Sequence, residues 1–459
     1  MSIINTALTG TLAAQAGLTT TSQNVANLAT PGYTRQGILL SSAQPARGGL
    51  FAAGDGVNTP LLFRFSDDYK NLQKWSSASI LGQHSTSQPY LTQLEQVMGD
   101  DASNINGGMD AFFSALNAAS MEPTSSPLRQ QVISAANVLS KRFNSLNQVL
   151  AGQRAAIMQQ RPTAVTQVNS LSSDIAKLNE KIAAGTATGV STSGLVDERD
   201  NKIDQLASLV GIQVVNQPDG TRSISLHGGQ PLVVGSLAAQ MQVQSLITGG
   251  QTLQIVFAKQ IFGVPNANLG GQLGSLANYE DNVLLPLTTS ISDMAQQVSS
   301  RFNAQFTSGF DINGNPGQPL FAYNASSSAS MLQITAGIQP QELGFSSDPA
   351  QPGNSDNLLL AIDQKNQPIT VSSLGSVLMG DAYTQLVSKL GTDSQQNIAS
   401  LSVAQTVRDH AVASWKSTSG VNSDEEAMNL VQFQQMYQAN MKVISVANQL
   451  FDSTLAMIN

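Results

Sequence analysis

The chain of 459 residues has no cysteine, which removes disulfides, thiolate nucleophiles and Cys-ligated zinc together. Charge is scarce as well. Asp, Glu, Lys and Arg make up 11% of the residues, against roughly 25% in an ordinary soluble domain. The net charge of -8 opposes a phosphate-backbone partner, which calls for a basic stripe, so no nucleic-acid partner is expected. No apolar run approaches the ~20 residues of a membrane span, and no membrane insertion is expected. Residues 1–34 contain no Lys, Arg, Asp or Glu, whereas a cleavable secretory signal opens with a basic segment. Any export is therefore expected by another route. The length allows two to four domains of ~100–200 residues and a sizeable core.

What is present is helical periodicity at both ends. Ile4, Ala7, Thr11, Ala14, Leu18, Thr21, Val25 and Leu28 are spaced alternately by three and four residues, the spacing of a coiled-coil seam. The helix is expected to stop near Leu28. Thr30 precedes a proline and is pushed out of the α region, and Pro31-Gly32 suits the centre of a type II turn. Ala427, Leu430, Gln434, Tyr437, Met441, Ile444, Asn448, Phe451, Leu455 and Ile458 repeat the spacing at the other end. Ser423-Asp424-Glu425-Glu426 reads there as a capping box, with acids at the positive end of the helix dipole.

Between the ends, a long pattern from Phe143 to Ile182, opened by Pro127 and interrupted by Pro162, predicts one kinked helix or two consecutive ones. Helices are also expected over about 68–98, 276–306 and 382–418. Residues 211–265 and 310–375 are rich in Gly and Pro with short alternating runs, which read as β structure. Pro218-Asp219-Gly220 marks a hairpin turn between Ile212–Val215 and Ser223–Leu226.

The expected fold is mainly α and multidomain, with a long coiled-coil-like bundle built from both termini and small β-rich outer domains. Residues 1–60 with 420–459 form a terminal helical assembly domain. Residues 61–205 with 270–308 and 381–419 form a helical bundle, and 206–269 and 309–380 form the outer parts.

A surface helix normally carries charge opposite its apolar stripe. These two ends do not: residues 1–34 have none, and residues 427–459 hold only Lys442 and Asp452. Uncharged polar faces suit contact with several neighbours, where an unpaired buried charge costs several kcal/mol but Thr, Ser, Asn and Gln find partners. Thr11, Thr21, Gln434 and Asn448 at seam positions weaken pairing. Both ends are therefore expected to be soft in the monomer and ordered by neighbouring subunits. The competing reading is an ordinary intramolecular coiled coil. The residues assigned to the assembly interface are Ile4, Leu8, Leu18, Val25, Asn27, Thr30, Pro31, Gly32 and Tyr33, with Leu430, Tyr437, Met441, Ile444, Phe451 and Leu455.

The stretch from Ser22-Gln23-Asn24-Val25-Ala26-Asn27 through Thr30-Pro31-Gly32-Tyr33 to Gln36 resembles the N-terminal signature of flagellar rod, hook and hook-associated proteins. Further blocks are similar to the FlgK family within that group. They include Gly54-Asp55-Gly56-Val57 with Arg64, Pro123 through Pro127 to Arg129-Gln130, and Leu195-Val196-Asp197-Glu198-Arg199-Asp200. Gly271-Gln272-Leu273-Gly274, Leu285-Pro286, Gly309-Phe310-Asp311 with Gly314 and Phe321, and Gly420 through Ala427 to Phe433–Asn440 complete the set.

The resemblance implies a structural protein of the hook–filament junction, secreted through the flagellum's type III apparatus. It also implies a ring of copies between hook protein and the third hook-associated protein, with an export chaperone on the C-terminal helix beforehand. Asn357–Ala361 follows soon after Phe321, where longer relatives carry extra sequence, so a small outer domain is expected. Another axial protein and an exported adhesin-like binding protein are the alternatives.

No enzyme chemistry, cofactor or metal is expected. Asp311-Ile312-Asn313-Gly314-Asn315 imitates the start of a calcium loop, but Pro316 stands where Gly is needed and Ala322 where a bidentate Glu is needed, so a turn is expected. Asp197, Glu198 and Asp200 could suggest acid–base catalysis, but Arg199 among them points to a solvated helix start. His84, His227 and His410 share no ligand spacing. The pairs Gly48-Gly49, Gly228-Gly229 and Gly270-Gly271 lack a phosphate-loop pattern.

Overall fold

The computed structural model describes residues 3–44, 54–101, 103–247 and 249–458, without the side chains of 59–61 and 458. The Gly48-Gly49 pair and the Ile458 side chain of the expected seam fall outside this range. The N-terminal helix α1 (Ile3–Ala26) runs antiparallel to the C-terminal α10 (Ser423–Ile458). After α1 the chain turns as expected: Gly32 has φ +80 and the Tyr33 amide donates to the Thr30 carbonyl at 3.2 Å. A hairpin of β1 (Gln36–Ser42) and β2 (Val57–Arg64) follows and lies along α1.

The body is built on α4 (Ser126–Thr188), a single helix of 63 residues. Of the two readings, one helix through Pro162 or two in succession, the chain takes the single helix, and the Met158 carbonyl that the proline leaves unpaired accepts the Gln251 side-chain amide at 3.1 Å. Around α4 stand α2 (Asp68–Gly99), α3 (Ile105–Met121), α5 (Ser193–Leu209), α6 (Gly271–Tyr279), α7 (Leu285–Ser308), α8 (Asp356–Asp363) and α9 (Ala382–Ser419). A π-turn at Glu280–Leu284 joins α6 to α7.

One core gathers the first half of α4 with α3 and α7. Phe112, Phe302, Phe306 and Phe321 meet there edge-on or tilted, with ring centroids 4.9–6.4 Å apart. Short pairs β10 (Phe321–Tyr323) with β11 (Leu332–Ile334) and β12 (Pro368–Val371) with β13 (Gly375–Leu378) insert Leu332, Ile369, Val371 and Val377 into this same core. Arg129 fastens the segment to the start of α4. It is almost fully buried, donates to the Pro123 and Leu343 carbonyls at 2.6 and 2.7 Å, and lies 4.3 Å from the Phe345 ring centroid. Burial pushes its guanidinium down to about 10.

The second core joins the other half of α4 to α5 and two antiparallel sheets. These sheets hold β3 (Ile212–Asn216), β4 (Arg222–Leu226), β5 (Pro231–Val234) and β6 (Leu237–Ala238), then β7 (Gln240–Ser245), β8 (Gln251–Phe257) and β9 (Gln260–Val264). The β3–β4 turn falls on Pro218-Asp219-Gly220, with Gly220 at φ +83.

Residues 206–269 and 309–380 each complete a different helical core, because strands of two to seven residues bury their apolar side chains only against helices.

Candidate assembly interface

The α1–α10 pair is closed by small residues. On α1 the buried positions include Ala7, Gly10, Ala14, Gly17, Thr21 and Asn24, and α10 faces them with Glu426, Asn429, Phe433, Met436 and Asn440. A side chain at Gly17 would place its Cβ 2.6 Å from the Phe433 ring, and one at Gly10 would lie 2.6 Å from the Asn440 amide. The two glycines let the backbones approach until these side chains fill the gap. Thr11 and Thr20 bury their hydroxyls by donating to the Ala7 and Ala16 carbonyls, each at 2.9 Å.

The observed seam is therefore turned relative to the one expected from the periodicity. Ala7, Thr11, Ala14 and Thr21 are buried as expected, and Ile4, Leu18 and Ile444 are half-buried. Val25, Leu28, Leu430, Tyr437, Met441, Phe451 and Leu455 face outward, as do Leu8 and Leu12. Close packing against Phe433 and Met436 selects small residues for the inner face of α1, and most other large apolar side chains of the pair are left for whatever lies outside.

A polar knot locks this rotation at the inner end. The Asn24 amide donates to Glu426 at 3.1 Å and to the Gln36 carbonyl at 2.8 Å. Its oxygen accepts the Tyr33 hydroxyl at 2.9 Å and the Gln36 amide at 3.0 Å. Arg35 donates from Nε to Glu426 at 2.7 Å, reaches Glu425 with Nη1, and lies over Phe65.

Glu426 thus does not complete a capping box with Ser423. Asn422 accepts the Asp424 amide at 3.0 Å, and the Glu426 carboxylate is spent on Asn24 and Arg35 because burial demands charged partners. Beside the knot, Asp197 accepts the Thr34 amide at 3.1 Å and pairs with Arg64. Asp200 pairs with Arg199 and with Arg222, the latter at 2.7 Å. The Asp197–Asp200 segment is therefore not a solvated helix start: Asp197 and Arg199 are buried, while Glu198 faces solvent. Burial and the nearby Asp197 and Glu426 carboxylates push the Tyr33 hydroxyl up to about 12.

Asn27, Thr30, Pro31, Gly32 and Tyr33 form one wall of a groove whose other wall is Ser191, Ser193 and Glu198 at the start of α5. Gly10, Gly17, Asn24, Phe433 and Glu426 were not among the expected interface residues. Their signal was the seven-residue spacing of Gly10, Gly17 and Asn24, answered by that of Glu426, Phe433 and Asn440.

The Asp311 loop is a turn. Its carboxylate accepts the Asn313 and Asn315 amides at 2.7 and 2.8 Å, and Gly314 has φ +79. Among the described residues no three His, Asp or Glu side chains cluster as metal ligands, and no helix is long and apolar enough to cross a membrane.

The family described as "Flagellar hook-associated protein FlgK helical domain" matches residues 91–321, half of the chain. "Flagellar basal body rod FlgEFG protein C-terminal" matches residues 417–457. Flagellar hook-associated protein 1 of Salmonella typhimurium is 26% identical over 551 residues, covering 99% of both chains. The protein of the same name from Bacillus subtilis is 26% identical over 502 residues, covering 98% of this chain and 97% of that one. The fold also matches a solved structure described as the flagellar hook junction protein FlgK from Burkholderia pseudomallei, with a TM-score of 0.66 and 18% identity over 77% of this chain and all of that one. With half its length matched by the FlgK helical domain, the chain belongs to the FlgK family of flagellar hook-associated structural proteins.

Proposed function

We propose that this protein forms the junction between hook and filament as a ring of copies held together by their terminal helices. The observation that carries this reading is the division of labour on the α1–α10 pair. Small residues of α1 take up Phe433 and Met436 of α10 within the chain, and most other large apolar side chains of the pair point away from this seam. Val25, Met441, Phe451 and Leu455 are 48%, 44%, 63% and 46% exposed, and the helices around them carry almost no charge. Such a face is costly in water and suits burial against neighbouring subunits.

Ile4, Leu8, Leu18, Tyr437 and Ile444 extend the same surface, and the turn with Thr30 and Pro31 exposed adjoins it at the inner end. In this reading the chain is secreted through the flagellar type III apparatus, with an export chaperone covering the exposed stripe of α10. It then stacks between hook protein and the third hook-associated protein. The match of residues 417–457 to rod-protein C-termini supports an axial position of this kind.

Truncation after Val421 in a motile cell tests the assembly mechanism. The shortened chain is expected to be made and exported, yet to leave hooks without filaments. Filaments that attach normally without α10 would overturn it.

A further inference from the structure

The contacts of the α1–α10 pair repeat along its length. Gly17 faces Phe433, and seven residues to either side Gly10 faces Asn440 and Asn24 faces Glu426. Helix α1 has 24 residues and α10 has 36. The shorter helix therefore pairs over its whole length in this register, and equally in one where α1 has moved a heptad, ~10.5 Å, toward the free tip of α10. There Gly17 would face Asn440 and Gly10 would face Ala447. A glycine–asparagine layer is one the pair already contains at Gly10, so neither paired length nor the glycines choose between the two registers. The opposite displacement is excluded by length, because Asn24 would then face Ser419, before the start of α10.

The connections permit the displacement toward the tip. Six residues, Asn27 to Gly32, separate the end of α1 from Tyr33 and reach ~20 Å when extended. Beside Gly56 of the hairpin, Ala13 and Ala16 would replace Thr6 and Thr9. The loss there is the hydrogen bond that the Val57 amide donates to the Thr9 hydroxyl at 3.2 Å.

Asn24 is the residue that the displaced register does not accommodate. It is 1% exposed, and both ends of its amide are engaged where it stands. The nitrogen donates to Glu426 and to the Gln36 carbonyl, and the oxygen accepts the Tyr33 hydroxyl and the Gln36 amide. Moved by a heptad it would meet the Phe433 ring and lose all four bonds. A buried amide without partners is costly, and a single polar residue at a seam position is enough to specify the register of a helix pair.

We propose that Asn24 is the register-determining residue of the terminal pair. By excluding the displaced register it keeps residues 448–458 of α10 beyond the end of α1, where the displacement would cover them as far as Thr454. Asn24 thereby sets the length of α10 that is offered to a neighbouring copy. The register belongs to the single chain, so the inference goes beyond the junction reading and stands or falls separately from it.

The absence of native cysteine allows a direct test in the dilute full chain. Met436 faces Ala14 in the observed register and would face Thr21 in the displaced one. Under a mild oxidant Ala14→Cys with Met436→Cys is expected to close an intramolecular disulfide at least about tenfold faster than Thr21→Cys with Met436→Cys, since the bond needs Cα atoms within about 7 Å. Asn24→Gly offers Phe433 a further glycine to sit against. It is expected to accelerate the Thr21 pair at least about tenfold and, in the chain without cysteines, to slow amide exchange over 448–454. A Thr21 pair no faster than before overturns the proposal. So does one accelerated without slower exchange over 448–454, because the knot would then hold the two helices together rather than choose their register.

Discussion

Gly17 is the residue on which the terminal pair turns. Its missing side chain makes room for the Phe433 ring, which an added Cβ would meet at 2.6 Å. Gly152, exposed on α4, has nothing within 4 Å of the same position. The two glycines should therefore respond oppositely. Gly152→Ala is expected to stabilise by about 0.5–1 kcal/mol through helix propensity and a less flexible unfolded chain. Gly17→Leu is expected to force the helices apart and to cost about 1–3 kcal/mol, read as a lower urea midpoint. Tyr33 supplies a test in pH. Its hydroxyl is held up to about 12, while in the unfolded chain it titrates near 10. The folded state keeps the proton longer, so this contribution is complete below pH 10 and is lost as pH rises from 10 to 12. Tyr33→Phe is expected to flatten the fall of the urea midpoint over that window. Tyr279 and Tyr383, also raised by burial, retain the rest of the slope. An unchanged slope would show that Tyr33 is not held by the knot.

Helix α4 shows how an element survives a residue that ought to break it. Pro162 withholds an N–H from the Met158 carbonyl, and the Gln251 amide supplies the missing donor from β8 at 3.1 Å. Gln251→Leu is expected to cost about 1 kcal/mol. In a Pro162→Ala background the restored backbone N–H makes the same change less costly, leaving the contact that Arg161 loses from the Gln251 oxygen at 3.4 Å, and a double-mutant cycle measures that coupling. The sequence could not reveal this compensation, since the donor lies in a strand 93 residues away. Local chemistry was legible where it acts locally: Pro31-Gly32 gave the turn, Pro218-Asp219-Gly220 the hairpin, and the three-four spacing both terminal helices. The phase of the seam was not legible. A heptad pattern fixes the period, but α1 carries small and large residues at adjacent seam positions, and only the distant Phe433 decides that Gly17 faces inward. Glu426 was misread for the same reason, because its partners Asn24 and Arg35 come from the other end of the chain. The assembly stripe was legible as an uncharged face, although which residues turn outward needed the packed pair.

At the scale of the whole molecule, order should fall from the body toward the tip of the terminal pair. Asn440 lies opposite Gly10 in an antiparallel pair, so Ile3 stands near Ala447 and residues 448–458 run past the end of α1. Over ~11 residues this overhang is ~16 Å long. All of its described side chains are exposed, Leu450 and Met457 at 59% and 80%. An isolated helical segment of this length is marginal in water, whereas α4 buries side chains in both cores along most of its length. Amide hydrogen exchange on the dilute monomer is expected to find least protection at 448–458, intermediate protection in α1 and the paired part of α10, and most in α4. In assembled flagella the first two classes are expected to approach the third, because neighbouring copies bury the outward stripe and the overhang. If 448–458 exchanged as slowly in the monomer as α4, the tip would be stable without neighbours. The exposed apolar face would then no longer provide the free energy that couples folding of the ends to assembly.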